Sequence, residues 1–278
     1  MYENIRLIAL DLDGTTLRPD KSLAAATRAA IEDALAAGIQ VAVASGRSFA
    51  SLPREVLEIP GIEYAITSNG AAVYRVSEGR RCRQCLLTVE AVEEILAVTP
   101  ESCAMETFVE GVPYARADYA ADPMAFGASP RAVDYIQSTR RRVQDIRAFI
   151  LKHRNELDAI DVIVRSEEEK GRVRAALKAN VQDVYITSSV PQLIEISHRD
   201  AGKRAALEWL AQHLNLTLSQ TAAFGDAEND REMLRAAGLG VAMGNAPDEV
   251  KAAADAVTKS CQEDGVAYYI RKILSEGN

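Results

Sequence analysis

The sequence is poor in histidine, cysteine and aromatic residues, and each scarcity excludes a class of site or protein. Its 278 residues include only 3 His and 4 Cys, and 5% of them are aromatic. So few histidines leave little material for catalysis that depends on a histidine base. So few cysteines in a long chain are typical of reduced thiols rather than of a disulfide scaffold, which predicts a cytoplasmic protein.

The sequence also lacks long apolar runs and an excess of positive charge. No run approaches the roughly 20 apolar residues of a membrane-spanning helix, and the first residues lack the regions of a signal peptide. Acidic residues outnumber basic ones by 40 to 32, which gives a net charge of −8. An acidic surface argues against nucleic acids and membranes as partners. We therefore expect a cytoplasmic protein that binds a small molecule.

The two ends of the sequence alternate short apolar runs with helical patterns. Buried strands are predicted at residues 5–10, 39–44, 64–67, 222–224, 240–243 and 255–258. The first helix is expected to start at a cap on Ser22 and to stop at Gly38. Strand–helix–strand alternation predicts an α/β fold with a Rossmann-like, doubly wound parallel sheet. Sites in such sheets form beyond the carboxyl ends of the strands.

The pattern changes in the middle of the chain. Helices are predicted at residues 90–98, 140–153 and 167–179, and more amphipathic strands at 103–109, 160–165 and 184–188. This mixture indicates an α+β domain inserted into the first one. We expect a core of residues 1–83 and 190–278, and an insert of residues 84–189.

The strongest chemical signal is a pair of aspartates, Asp11 and Asp13, directly after the first predicted strand. Gly14 follows them and permits a tight turn. Because Asp and Gly also favour ordinary turns, this segment needs a second signal before it indicates a site.

A second acidic segment, with Asp226, Asn229 and Asp230, follows a predicted strand late in the chain. Alone, it could be the acidic first turn of a helix. If its strand lies beside the first strand, these aspartates converge with Asp11 and Asp13. Clustered carboxylates raise one another's pKa unless a divalent cation is bound. Hard oxygen ligands suit Mg²⁺, which is the predicted cofactor.

Ser45 and Lys203 suit the binding of phosphate oxygens. Ser45 ends the second strand, where a hydroxyl and backbone N–H groups match such oxygens. Lys203 stands at a predicted helix start, where the helix dipole disfavours a cation unless an anion lies near it. A simple helix cap for Ser45 and a solvated side chain for Lys203 are the alternatives.

Together these motifs resemble the haloacid dehalogenase-like hydrolase superfamily, and most closely its Cof-type phosphatases with an inserted α/β cap, subclass IIB. The motifs occur in the family order over nearly the whole chain: Asp11 with Asp13, Ser45, Lys203, and Asp226 with Asp230. The chain departs from many relatives at Ser45, where they have Thr, at Arg204, where they have Gly, and at Gln262, where they have Asn.

The resemblance implies a Mg²⁺-dependent phosphatase for a small phosphorylated metabolite, such as a sugar phosphate or a similar phosphomonoester. Asp11 would form an aspartyl-phosphate, Asp13 would act as general acid and base, and Ser45 and Lys203 would complete the catalytic set. The metal would be held by Asp11, Asp13 and Asp226, with Asp230 keeping these ligands in place. The phosphoryl group and substrate would be bound by Leu12, Ser45, Gly46, Arg47, Asn69, Lys203 and Asn229. The insert would be the cap that sets substrate specificity.

Other functions stay open at this point. A phosphomutase of the same superfamily would use the same nucleophile and the same acid/base pair. A non-catalytic sensor of a phosphorylated ligand is weakened by the presence of every catalytic carboxylate. A nucleotide-sugar transferase leaves Lys203 and Asp226 unexplained. For a phosphatase, sugar phosphates, flavin mononucleotide, pyridoxal phosphate and nucleotides are all candidate substrates, because fold does not determine substrate.

Overall fold

The computed structural model describes residues 4–277, which form two compact units. The first unit is built from three segments, Met1–Gly46, Leu52–Arg83 and Gly202–Asn278. The second unit is built from Arg47–Ser51 and Gln84–Ala201. The inserted unit thus extends beyond the predicted boundary at residue 189.

The strands and helices are numbered in chain order. The strands are β1 (Leu7–Leu10), β2 (Gln40–Ala44), β3 (Tyr64–Thr67), β4 (Ala72–Arg75), β5 (Arg80–Gln84), β6 (Ala104–Val109), β7 (Val112–Arg116), β8 (Arg141–Val143), β9 (Leu157–Ile163), β10 (Val184–Thr187), β11 (Leu193–His198), β12 (Thr221–Gly225), β13 (Leu239–Ala242) and β14 (Ala256–Val257). The helices are α1 (Ala25–Ala36), α2 (Arg54–Leu57), α3 (Val89–Val98), α4 (Ala117–Ala121), α5 (Val133–Thr139), α6 (Ile146–Lys152), α7 (Glu167–Asn180), α8 (Lys203–His213), α9 (Arg231–Ala236), α10 (Asp248–Lys251) and α11 (Gly265–Glu276).

The first unit contains an eight-stranded sheet in the order β14-β13-β12-β1-β2-β3-β4-β5. Its strands from β14 to β3 run parallel, and β4 pairs antiparallel with β3. All four residues of β1 are buried, as expected for a central strand covered on both faces. The structure confirms the predicted α/β class with a parallel sheet.

The parallel pairing sets the position of the site. Leu10, the last residue of β1, lies opposite Val43 of β2 and Phe224 of β12. Parallel strands end at the same edge of a sheet, so the residues that follow β1, β2 and β12 start from one edge. This is the edge at which sites form in open α/β sheets.

The second unit contains a six-stranded sheet in the order β10-β11-β9-β6-β7-β8. One of its faces packs on α3, α6 and α7 through buried side chains such as Val92, Ile150 and Leu177. The other face packs on α4 and α5, through Tyr119 and Ile136. Strand β11 pairs with β9 and β10, which explains why this unit continues to Ala201.

Two local predictions were wrong. Residues 140–153 do not form one helix, because β8 pairs in parallel with β7 and α6 begins only after a cap at Asp145, which accepts a hydrogen bond from Ala148 N. Ser22 does not cap α1, because its N–H and hydroxyl both bond the Asp20 carboxylate. The helix begins instead after Ala24.

The described part of the chain contains no helix that is both long and apolar enough to cross a membrane. The four cysteines are free thiols, of which two are buried: Cys82, Cys85, Cys103 and Cys261.

Candidate active site

The turn after β1 places Asp11 at the edge of the sheet and folds back over it. Asp11 is buried, and its N–H donates to Phe224 O at 3.1 Å. Its carbonyl oxygen accepts bonds from the N–H and the hydroxyl of Thr16. Gly14 has φ +85°, and a Cβ there would lie 2.3 Å from an Asp226 carboxylate oxygen. Only glycine allows this close approach of the turn to Asp226.

Lys203, the first residue of α8, joins two carboxylates at the centre of the site. Its Nζ lies 2.6 Å from an oxygen of Asp11 and 2.6 Å from an oxygen of Asp230, and its side chain is fully buried. Burial alone would lower the pKa of Lys203, but the charges of Asp11 and Asp230 raise it above the usual range. Lys203 is therefore a buried ammonium and not a solvated surface side chain.

Both carboxylate oxygens of Asp230 accept hydrogen bonds, and these bonds order the segment that follows β12. Its second oxygen accepts hydrogen bonds from the N–H groups of Asp226 and Ala227, each at 3.0 Å. Its first oxygen is bound by Lys203. The Asp230 carboxylate is thus already engaged by three donors and fixes the position of its neighbours.

Three carboxylates converge at this edge. Asp11, Asp226 and Asp230 each offer an oxygen within 4.8 Å of the others. Burial, together with repulsion from Asp230, raises the pKa of Asp226 to about 7. Burial also raises the pKa of Asp11 well above its usual range, and the attraction of Lys203 does not offset this. Such a cluster favours protons or a divalent cation.

Asp13 lies in the same turn but has a different environment. Its carboxylate pairs with Lys21 at 2.7 Å, and about a third of its side chain is exposed, 35%. It is not one of the three converging carboxylates. Its predicted place in the metal site would therefore come from its backbone, as the resemblance implies, and its predicted role as general acid and base stays a prediction.

The residues predicted to bind phosphate lie around the same strand ends. Ser45 is buried at the end of β2, and its carbonyl accepts a bond from Asn69 N. Asn69 and Asn229 are joined by their side chains, with Nδ2 of Asn229 donating to Oδ1 of Asn69 at 2.9 Å. Leu12 is buried within the turn, and Gly46 is partly exposed beside Ser45.

The sequence and the fold match known proteins over nearly their whole length. Residues 8–270 match the model of the haloacid dehalogenase-like hydrolases. The chain is 31% identical to the phosphatase YwpJ of Bacillus subtilis, with 97% of this chain and 100% of that protein covered.

The chain belongs to the haloacid dehalogenase-like hydrolase family.

Other proteins similar to this hydrolase are also named as phosphatases or as haloacid dehalogenase-like hydrolases. It is 31% identical to an HMP-PP phosphatase of Yersinia enterocolitica, with 97% of this chain and 96% of the relative covered. A haloacid dehalogenase-like hydrolase from B. subtilis has the same fold, with a TM-score of 0.81 and 31% identity over 96% of this chain and 99% of its own. The subclass IIB sugar phosphatase BT4131 shares the fold with a TM-score of 0.82 at 24% identity, covering 96% and 98%. The hydrolase is thus an enzyme of the phosphoric monoester hydrolase class, and the predicted resemblance is confirmed.

Arg47 is the one predicted site residue that falls in the second unit. Its guanidinium lies 4.2 Å from the centre of the Tyr135 ring and donates a hydrogen bond to Ser51 O. Arg140 stacks near the same ring, at 4.5 Å. The predicted contact of Arg47 with substrate stays a prediction.

Two polar residues of the site were assigned no role from the sequence. Thr15 donates its hydroxyl to Asp226 at 2.9 Å, and Nδ2 of Asn245 donates to Gly14 O at 2.9 Å and lies 3.3 Å from Asp226. Asn245 follows β13, a strand that pairs with β12, so its place after a strand end was the signal that could have indicated it.

The second unit also contains a buried row of carboxylates that no motif indicated. Glu106, Asp161 and Glu195 stand in register on β6, β9 and β11, and Arg140 binds Glu106 through two hydrogen bonds of 2.8 and 2.9 Å. Burial and repulsion from Glu195 raise the pKa of Asp161 well above its usual range.

Proposed function

We propose that this hydrolase removes the phosphoryl group of a small phosphorylated metabolite through an aspartyl-phosphate on Asp11, with Mg²⁺ as cofactor. The observation that carries the proposal is the Asp11–Lys203–Asp230 arrangement beside Asp226. Two buried carboxylates and a buried cation lie within one small volume there, which supports a role for Asp11 as the nucleophile. A carboxylate can form a covalent intermediate that divides one difficult step into two easier ones.

The residues around Asp11 have complementary roles in this proposal. Lys203 holds one oxygen of Asp11 and supplies the positive charge that a transferring phosphoryl group requires. Asp13 would protonate the leaving alcohol and then accept a proton from the attacking water. Ser45 and the N–H groups near Leu12 and Gly46 would bind phosphoryl oxygens at the common edge of the sheet.

The donor set of the site fits a magnesium ion. Asp11 and Asp226 are buried carboxylates with raised pKa values, so a divalent cation would relieve their mutual repulsion. Their hard oxygens are the ligands that Mg²⁺ prefers. Asp230 is engaged by Lys203 and two backbone N–H groups, which supports a role in fixing the ligands rather than in binding the metal. When bound, Mg²⁺ supplies positive charge that stabilises the phosphoryl group in transfer.

The affinity for Mg²⁺ should depend on pH. Because the pKa of Asp226 is raised to about 7, the metal-free protein holds a proton there below pH 7, and Mg²⁺ must displace it. We expect the apparent affinity to weaken at least about tenfold for each pH unit below 7, because Asp11, whose pKa is also raised, can hold a second proton that the ion must displace. Calorimetric titration of Mg²⁺ at pH 6, 7 and 8 measures this; equal affinities at pH 6 and 8 would contradict it.

The free energy of unfolding of the metal-free protein should also depend on the protonation of Asp226. It should fall over the pH range in which the affinity for Mg²⁺ rises. The folded-state pKa of Asp226 lies above the ordinary value of 3.8 for an aspartate. The stabilising contribution of the protonated carboxyl is therefore complete below about pH 3.8, and it is lost as the pH rises through 7. Added Mg²⁺ should accordingly raise the unfolding temperature more at pH 8 than at pH 6.

We also propose that the second unit is the cap that selects the substrate. Named relatives include an HMP-PP phosphatase and a 5-amino-6-(5-phospho-D-ribitylamino)uracil phosphatase, which supports a small metabolite as the substrate class. A sugar phosphate or a similar phosphomonoester is our proposal for this chain. The free cysteines support the predicted cytoplasmic location.

Release of inorganic phosphate from a panel of phosphorylated metabolites tests the proposal. Sugar phosphates, flavin mononucleotide, pyridoxal phosphate and nucleotides are each assayed with Mg²⁺ and with EDTA. We expect release from at least one compound that disappears with EDTA and returns with Mg²⁺. Conversion of a substrate to an isomer without free phosphate would instead show a phosphomutase. Tight binding without any turnover would show a sensor.

A further inference from the structure

The turn after β3 has an unusual backbone. Ser68, Asn69 and Gly70 follow one another with φ of 50°, 52° and 87°, all in the left-handed region. This region is unfavourable for residues with a side chain, although Asn tolerates it better than most. Such strain persists only where the surrounding structure holds it in place, and it is common at functional sites. Asn69 is also buried, which indicates that the turn is held by its contacts.

The backbone of Asn69 connects two parts of the site. Its N–H donates to Ser45 O at 3.1 Å, and its carbonyl accepts from Gly202 N at 2.8 Å. Gly202 is the residue directly before Lys203 and caps α8. A Cβ on Gly70 would lie 2.2 Å from Gly202 O, so the turn and the start of α8 are in close contact. The backbone of the turn therefore sets where the Lys203 side chain begins.

The side chain of Asn69 is linked to the Lys203 ammonium through Asn229 and its neighbour Asp230. Its Oδ1 accepts a hydrogen bond from Asn229 at 2.9 Å, and both amides are buried. Asn229 directly precedes Asp230, which binds Lys203 at 2.6 Å. Asn69 thus contacts the residue that precedes Lys203 and the residue that precedes Asp230, whose carboxylate binds the Lys203 ammonium.

We propose that Asn69 is a positioning residue that fixes the Lys203 ammonium between Asp11 and Asp230, and that it is not a ligand of the phosphoryl group. The inference rests on the proposed function in so far as Lys203 stabilises phosphoryl transfer. Its physical basis is that hydrogen-bond strength falls steeply with poor geometry. Loss of an outer partner of a metal ligand typically costs about 10–100-fold in metal affinity or activity, and we expect a loss of the same order for an outer partner of Lys203.

The test uses Asn69→Gly, which keeps the left-handed backbone and both backbone hydrogen bonds and removes the side chain that accepts the bond from Asn229. We expect kcat to fall about 10–100-fold, with the KM and the inhibition constant of inorganic phosphate unchanged.

In a double-mutant cycle, Asn69→Gly should lower kcat no further in the Asn229→Ala background, because both substitutions remove the same link. Asn215→Gly is the matched control, since Asn215 is an exposed, left-handed asparagine after the far end of α8. It should leave all of these quantities unchanged.

A second readout does not require turnover. The ε-carbon NMR signal of Lys203, assigned by its loss in Lys203→Met, should shift in Asn69→Gly and in Asn229→Ala but not in Asn215→Gly. A raised KM and a raised phosphate inhibition constant at unchanged kcat would show that Asn69 binds the phosphoryl group and would overturn the inference. So would an unmoved Lys203 signal. An inactive wild type would contradict the proposed function, while the Lys203 signal would still decide the role of Asn69.

Discussion

Asp11→Asn should abolish phosphate release, with kcat lowered at least about 10⁴-fold, as is typical when a catalytic nucleophile is removed. The amide has nearly the shape of the carboxylate, but it lacks the charged oxygen that would attack phosphorus. The assay is phosphate release with Mg²⁺, at enzyme concentrations high enough to follow a loss of this size. Asp33→Asn is the matched control, because Asp33 is exposed on α1, and its activity should equal that of the wild type.

The same variant should keep its fold, and this makes the loss of activity interpretable. Burial and two nearby carboxylates raise the pKa of Asp11, so its ionised form destabilises the metal-free protein at neutral pH. Removing the charge should therefore leave stability at pH 8 unchanged or increase it, as measured by urea unfolding. Substantial turnover by folded, purified Asp11→Asn would remove Asp11 from the role of nucleophile.

Lys203→Met should both inactivate and destabilise the enzyme. The substitution removes the cation that binds two buried carboxylates, Asp11 and Asp230, whose oxygens lie 2.6 Å from Nζ. Leaving a buried charge without its partner typically costs about 3–5 kcal/mol. Urea unfolding at pH 8 without metal should show a loss of this order, and phosphate release should fall below detection.

Two comparisons identify the cause of that loss. In the Lys203→Met background, Asp230→Asn should recover part of the stability, because one uncompensated carboxylate becomes a neutral amide that can still accept the bonds from Asp226 N and Ala227 N. Lys178→Met, at an exposed position in the last turn of α7, should change stability by no more than about 0.5 kcal/mol. A loss in Lys203→Met no larger than this control would contradict the buried ion-pair account.

The parallel strands of the first unit could be predicted because their own residues distinguish them from the surrounding sequence. Strands buried on both faces, such as β1 and β3, are mostly apolar and are followed by polar residues, so the sequence shows where they end. The strands of the second unit were harder to predict. Its strand β8 begins in a run of arginines that fits a helix equally well, and β11 was not recognised at all. Pairing with distant strands decides both cases, and no local pattern contains that information.

The site could be predicted in part for the same reason. Residues that follow a strand end, such as Asp11 and Asp226, could be placed together once the sheet was assumed to be parallel. Partners that depend on exact side-chain geometry could not be placed. The bond from Thr15 to Asp226 is one example, and the link between Asn69 and Asn229 is another, since the residues of each pair are separated by more than 150 positions. The buried carboxylates of the second unit depend on strand register, which a single sequence does not specify.

The proposed aspartyl-phosphate on Asp11 can be detected by mass spectrometry. The enzyme is mixed with Mg²⁺ and the best substrate of the panel, quenched with acid during the first turnovers, digested and analysed by mass spectrometry. If the reaction passes through an aspartyl-phosphate on Asp11, we expect one added phosphoryl group on the peptide that contains Asp11, present in the wild type and absent from Asp11→Asn. Rapid phosphate release with no phosphoryl group on that peptide at any quench time, or with the group on another residue, would contradict it.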